Sequence, residues 1–369
     1  VVGGGLQNSA VGRASTVAGG ASNNACNSCS FVGGGYGNNS TQIGSTIAGG
    51  DLNTVSGGYG FIGAGGMNTV YHSYGGIVAG MQNKACGDYA FVGAGLINTA
   101  SGYCSAVVGG NFNISCGRAS FVGGGFTNHS CGDYSSIAGG LTNTASAVYS
   151  SVGGGYDNLA DSPYSTVAGG QTNTTSAYFA TVGGGCNNLA WGAAAVVGGG
   201  NLNSACGNNS TVSGGLCNIA QGNYSGILGG CLNNICGFAN SFIIGSNLCA
   251  TAACTTYFNN VCTAGTMKIS GGFSAATKSF VIVHPTKPSM KLQHGVLEGP
   301  EHSVFVRGKL ENNNIIELPD YWVGLVHEET ITINITPIER YQTLYVEYIR
   351  DNQIKIGGDQ NPIAYYTVY

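Results

Sequence analysis

Charge is what this chain has least of. Asp, Glu, Lys and Arg make up 8% of its 369 residues, against about a quarter in an ordinary globular domain. The net charge of -4 is spread thinly, so no basic patch points to nucleic acid or to an anionic membrane as partner. No apolar run reaches the roughly 18 residues that span a bilayer, and no basic start with an apolar middle marks a secretory signal. Gly-X-Y triplets are absent although 65 residues are Gly, which excludes a collagen helix, and Val, Ile and Phe recur too regularly for disorder. Catalytic spacings are missing too: there is no HExxH, and no carboxylate pair recurs as a glycan hydrolase would need. The expectation is a chain that is not an enzyme, holds no cofactor or metal, and does not insert into a membrane.

Repetition takes the place of charge. Asn stands at 8, 23, 38, 53, 68, 83, 98, 113, 128, 143, 158, 173, 188, 203, 218 and 233, and three residues before each stands Gly. Self-similarity at one fixed period is the mark of a stacked array. Val or Ile lies six residues before every Asn (Val2, Val17, Val32, Ile47, onward to Ile227), and a small residue often lies two after it (Ala10, Ala25, Ala85, Ala100). Period-two alternation in short pieces parted by Gly predicts strands bent at corners, hence an all-β fold: a parallel β-roll or β-solenoid of 15-residue repeats.

Each column then has an expected role. The Gly pair supplies positive φ or lets two backbones approach. Asn8, Asn23, Asn38, Asn53, Asn68, Asn83, Asn98, Asn113, Asn128, Asn143, Asn158, Asn173, Asn188, Asn203, Asn218 and Asn233 form a structural ladder, tolerating the left-handed region and bonding to their own backbone and to one another. Since one coil buries little more than a Val and an Ala or two, coils must stack, and chains must also associate sideways. A second periodicity overlies the first: Phe31, Phe61, Phe91 and Phe121 recur at thirty, as does Gly five before the Asn (Gly3, Gly33, Gly63, Gly93). Either two unlike fifteen-residue coils alternate or one coil consumes thirty residues; two strands and two breakers per repeat favour fifteen.

Two further columns carry candidate chemistry. Of the 14 cysteines, Cys26, Cys86, Cys116, Cys131, Cys206 and Cys236 all fall three after the Asn, where other repeats carry Ser. They read as small fillers whose thiols are mostly free, as in a reducing cytoplasm, and Cys26-Asn27-Ser28-Cys29 lacks the second pair of a zinc ribbon. Six after the Asn stand Tyr59, Tyr74, Tyr89, Tyr134, Tyr149, Tyr164, Phe179 and Tyr224. These rings either pack coil on coil or offer a platform for the sugars of a surface glycan.

The run Ser-x-Val-Ala-Gly-Gly-x-x-Asn-x-Ala-x-Gly-x-Tyr, legible from Ser135 to Tyr149 and from Ser150 to Tyr164, resembles the head repeats of trimeric autotransporter adhesins. That resemblance implies left-handed parallel β-rolls that trimerise about a shared axis, although the repeat there is typically a residue shorter.

After Asn233 the pattern fails, with Leu248 where Asn is due. Twenty of the charged residues lie from Lys268 onward, and no Cys follows Cys262. The expected organisation is a repeat shaft over 1–245, a transition over 246–277 and a charged C-terminal domain over 278–369. Strand candidates there include Phe280–Val283, Ser303–Gly308, Ile315–Leu318, Thr330–Ile335, Leu344–Ile349 and Gln353–Ile356, predicting a small antiparallel β-sandwich-like domain, with a helical turn at Tyr321–Val326. His284, His294, His302, Glu298 and Glu301 are close in sequence but lack any ligand spacing, so turns are the expected role. His284-Pro285-Thr286-Lys287-Pro288, His294 to Glu301, Val306-Arg307-Gly308, Glu317 to Trp322 and Ile335-Thr336-Pro337-Ile338 resemble a domain near the C-termini of tail-fibre and structural proteins of marine tailed phages and some large viruses.

Together the resemblances imply a structural or adhesive tail fibre, a virion appendage. Its partners would be two further copies in a homotrimer, other virion appendage proteins, and a host surface receptor or glycan. The head of a bacterial trimeric adhesin, on a bacterial cell surface, is the alternative, and a glycan-cleaving tailspike a third. Val1 begins inside a repeat, so the chain is expected to be a fragment at its N-terminus, and the strand-like ending at Tyr369 suggests the same there.

Overall fold

The computed structural model describes residues 1–264, 267–268, 270, 279–283, 291–295, 305–319, 322–323 and 326–369. The chain forms two compact units, Val1–Ala264 and Gly265–Tyr369.

The first unit is a parallel β-solenoid whose coil takes fifteen residues: Ser9 pairs with Asn24 and Asn24 with Asn39, while Thr16 pairs with Phe31 and Phe31 with Thr46. The thirty-residue coil is thereby excluded. One ladder of two-residue strands runs from Ser9–Ala10 to Asn234–Ile235 and holds 16 strands. The other runs from Thr16–Val17 to Thr256–Phe258. A third ladder, of single bridges, links Leu6, Ala21, Tyr36, Asp51 and so on to Cys231. About 17 turns at ~4.8 Å between strands give the stack a length of about 80 Å.

The inward residues follow from alternation. Val17, Val32, Ile47 and their successors are fully buried, as are Ala25, Ala85 and Ala100 on the facing strand. Ser15, Ser45 and Ser105, just before the first strand, and the Asn column from Asn23 onward are buried beside them. The core is thus one side chain deep.

Corners are made by two left-handed residues per coil: the one before the Asn (Gln7 φ 55, Ser22 φ 58, Leu52 φ 54) and the one six after it (Ala14 φ 60, Cys29 φ 59, Tyr59 φ 56). The Asn itself is not left-handed, contrary to the expectation from its side chain. Its amide has to point inward, so the neighbour takes the corner. That turn also reverses the direction of the N–H: Ala21 N donates forward to Gly35 O at 2.9 Å, but Ser22 N donates back to Leu6 O at 2.8 Å.

The thirty-residue periodicity is a pairing of sizes within each coil. Where Phe stands seven before the Asn, Gly stands five before it: a Cβ on Gly33 would lie 3.4 Å from the Phe31 ring and one on Gly123 3.5 Å from Phe121, and the next coil's carbonyl lies 2.3 Å from either. Intervening coils carry Thr16, Thr46, Gly76 or Ala106 with Ala18, Ala48, Val78 or Val108. Two unlike fifteen-residue coils therefore alternate.

Winding continues past 245. Gly226 pairs with Phe242, an offset one residue longer than before, and Phe242–Ile244 pairs with Thr256–Phe258. The pairing survives there because it needs only backbone, while the Asn and Gly letters that make the repeat visible in sequence have gone.

The second unit has two three-stranded antiparallel sheets, ordered Val306–Glu311, Ile363–Val368, Ile333–Pro337 and Ile315–Glu317, Gln353–Gly358, Leu344–Arg350, besides a hairpin of Ser279–Val283 with Lys291–Gly295. Its core gathers Leu310, Ile316, Trp322, Ile354, Ile356 and Val368. No α-helix occurs among the described residues. Trp322 N donates to Pro319 O and Val326 N to Trp322 O, in the expected turn. His284, Glu298, Glu301 and His302 lie outside the described residues, and of His294 only the backbone, in its strand, is described.

Candidate functional site

The Asn ladder is bonded on every polar atom. Asn143 is representative: its Oδ1 accepts Asn158 N at 3.0 Å and Asn158 Nδ2 at 3.1 Å. Its Nδ2 donates to Gly139 O and to Gly155 O, both at 3.0 Å, and also approaches Asn128 Oδ1 at 3.1 Å. Each side chain so joins three coils: it receives the N–H of the next Asn and closes the Gly corner of its own coil onto that of its successor. A buried amide left without such partners would be costly, which makes Asn the fitting residue here: it is short and offers both a donor and an acceptor. Asn8, in the first coil, is only half-buried but keeps its bonds to Gly4 O and Gly20 O.

The Gly three before each Asn is fixed by the same contacts. Gly140 has φ 94, and a Cβ there would lie 2.3 Å from Gly155 O and 2.6 Å from Asn143 Nδ2. Its neighbour Gly139 has only Gly124 O, at 3.9 Å, within reach.

The rings six after the Asn form two stacks. Tyr59, Tyr74 and Tyr89 stack with centroids 5.3 and 5.0 Å apart. Tyr134, Tyr149, Tyr164 and Phe179 stack at 4.9, 5.0 and 5.1 Å. Tyr103 meets Tyr89 edge-on, and the Arg118 guanidinium lies 5.9 Å from both Tyr103 and Tyr134, linking the stacks. Faces inside a stack are covered by the next ring, leaving edges and hydroxyls to solvent. Tyr224 stands apart: Asn209 and Asn240 hold the corresponding corners of the coils beside it, and it is exposed. Sequence spacing brought these tyrosines together as one column; it did not show that their faces would be spent on one another, nor that Tyr103 and Arg118 would join the stacks.

Cys116 and Cys131, in one column on adjacent coils, form a disulfide, a pair that the reading of this column as filler did not foresee. Adjacent coils bring equal positions to within one strand spacing, here 4.6 Å between Cα atoms, close enough for the bond. The other twelve cysteines are free. Burial pushes the Cys86 thiol up, against a smaller opposing pull from Lys84. Among the described residues no group of His, Cys, Asp or Glu has the arrangement of a metal site. Asp88 and Asp133 are spent on backbone, accepting Ser73 N at 3.1 Å and Arg118 N at 2.8 Å. In the second unit a cavity of about 300 Å³ is lined by Leu318, Trp322, Val326 and Ile349, with Glu328 and Asp351.

Long apolar columns remain exposed on the solenoid: Phe31, Phe61, Phe91 and Phe121 on one strand face, and Leu52, Met67, Met81, Phe112, Phe126 and Leu141 near the corner before the Asn. No family model matches the chain, and it has no match among curated proteins.

Proposed function

We propose that the chain is a structural fibre of a tailed phage or other virus, a homotrimer with the solenoid as stiff shaft and the C-terminal unit as attachment module. The observation that carries this reading is the apolar surface just described. A largest apolar patch of about 300–600 Å² is usual on a monomer, whereas here exposed Leu, Met, Tyr and Phe recur from Leu6 to Leu232. With a core one side chain deep, covering that surface by copies of the chain is the economical solution: only another copy repeats at the same spacing, coil for coil. Scarcity of charge fits an assembled surface better than a monomer in water. Light scattering coupled to size exclusion tests the reading, together with negative-stain images. The expected outcome is a trimer with a rod portion about 80 Å long, and a monodisperse monomer would overturn it.

A glycan partner would find uncovered ring faces at Tyr224 and only ring edges along the two stacks, so glycan-array binding that is lost in Tyr224→Ala but retained in Tyr149→Ala is the expected pattern.

A further inference from the structure

We propose that Cys236 and Cys249 are a modifiable thiol pair that closes into an intrachain cystine and staples the last two coils of the solenoid. Their sulfurs lie 3.7 Å apart, and both side chains are exposed. This inference is independent of what the array is attached to or binds.

Their place in the fold gives the bond its effect. Asn233 is the last of its ladder: its Oδ1 accepts Leu248 N at 3.1 Å and its Nδ2 donates to Gly245 O at 2.7 Å. Leu248, in the next place, has no amide to pass on. The ladder on that side also stops, since Asn234–Ile235 is its last strand and a single bridge joins Asn234 to Cys249. The coil beginning at Leu248 is therefore tied on fewer sides than those before it, and a stack of repeats frays first at such an end. A covalent tie between Cys236 and Cys249 would supply there what the Asn ladder supplies elsewhere.

The two residues do not meet through column repetition. Cys116 and Cys131 share a column, whereas Cys236 stands three after its Asn and Cys249 one after Leu248. They meet where the winding takes up its extra residue between Gly226 and Phe242. Closure needs an oxidant of the small-molecule disulfide class, such as glutathione disulfide. One thiolate attacks a sulfur of that disulfide and expels a glutathione thiolate; the second then attacks the mixed disulfide and expels the other. Two protein thiols and one disulfide become one protein cystine and two glutathione thiols.

The test uses the whole chain, fully reduced and then incubated with glutathione disulfide, with remaining thiols alkylated before digestion. Trypsin is unsuitable, since no Lys or Arg lies between Arg118 and Lys268. Chymotrypsin, cutting after Phe238 and Phe242, separates the two cysteines. The expected result is a linked Cys236–Cys249 peptide, with hydrogen exchange of the Leu248 and Ala250 amides at least tenfold slower than in the reduced chain. Cys236→Ser should abolish both effects and still fold, because Ser146 and Ser176 occupy the same column. The proposal is overturned if both thiols stay alkylatable under conditions that close Cys116–Cys131. Capture of Cys249 by Cys254, Cys262 or a second chain would overturn it too, as would a linked peptide with unchanged exchange at those amides.

Discussion

Replacing Asn143 by Leu tests the central structural argument, because the two side chains are similar in size and differ in what they can bond. The Leu would leave Asn158 N–H, buried and facing the former Oδ1, without an acceptor, and would free the carbonyl of Gly139, while Gly155 O keeps the N–H of Leu141 at 2.8 Å. A buried donor stranded in this way costs about 1–3 kcal/mol, and the freed Gly139 carbonyl adds about 1 kcal/mol. The expected destabilisation is about 2–4 kcal/mol, read from guanidinium midpoints at matched protein concentration. Asn8→Leu should cost about 1 kcal/mol or less, since Asn8 lies at the solvated end of the stack.

Asn143→Asp adds a pH signature. The introduced carboxylate would face two carbonyl oxygens where the amide had donated, so its proton is held and its pKa is raised in the folded state. The folded chain then binds more protons than the unfolded chain, and stability falls as pH rises from about 4 through the raised folded value. Wild type lacks this group, so the difference between the two curves isolates it. Equal midpoints for Asn143→Leu and wild type, or a pH-independent deficit in Asn143→Asp, would refute the account of the ladder.

Gly140→Ala should cost more than 2 kcal/mol and Gly139→Ala less than about 1, because a Cβ clashes with the Asn143 amide and Gly155 carbonyl only at the former; chemical denaturation of the two variants measures the contrast. Tyr149→Ala breaks two stacked contacts and should be destabilised by about 1–3 kcal/mol more than Tyr224→Ala, which stacks on no ring. Cys116→Ser should fold with its ladders intact, since Ser101 stands in the same column of the preceding repeat and Ser146 two repeats on; circular dichroism and non-reducing mass mapping check it. Under the proposed trimer, a chain shortened to Val1–Ala264 should give polydisperse assemblies by light scattering, because near-identical coils leave the offset between chains weakly specified. A single trimeric species from that shortened chain would show that the array finds its own register.

The solenoid was legible in sequence because its constraints recur: each Asn, Gly and Val is demanded anew in every coil, so position and role coincide. What escaped is what carries no fixed letter. The bridge ladder through Leu6, Ala21, Tyr36 and Asp51 is made by backbone alone, with side chains pointing out, and so shows no preferred residue type. The left-handed corner before the Asn is filled by Gln7, Ser22, Leu52 and Met67, none of which announces positive φ as Gly or Asn would. The Cys116–Cys131 bond could not be told from filler, since both residues sit where Ser also fits and only coil adjacency joins them. In the second unit, ordinary alternation located most strands, but Lys291–Gly295, which contains Lys, Gln and His, has no apolar face to mark it.

The alternation of Phe31–Gly33 coils with Thr46–Ala48 coils restricts how such a shaft can change length. Loss of one coil between Thr16 and Ala138 would set two Phe-bearing coils side by side, or two bearing Ala or Val, and break the alternation by which each Gly meets the carbonyl of an Ala or Val in the next coil. Loss or gain of two coils restores it. Lineages carrying this array should therefore lengthen or shorten their shafts in even steps, and an odd step should be found only in the stretch after Gly183, where Gly198 breaks the alternation.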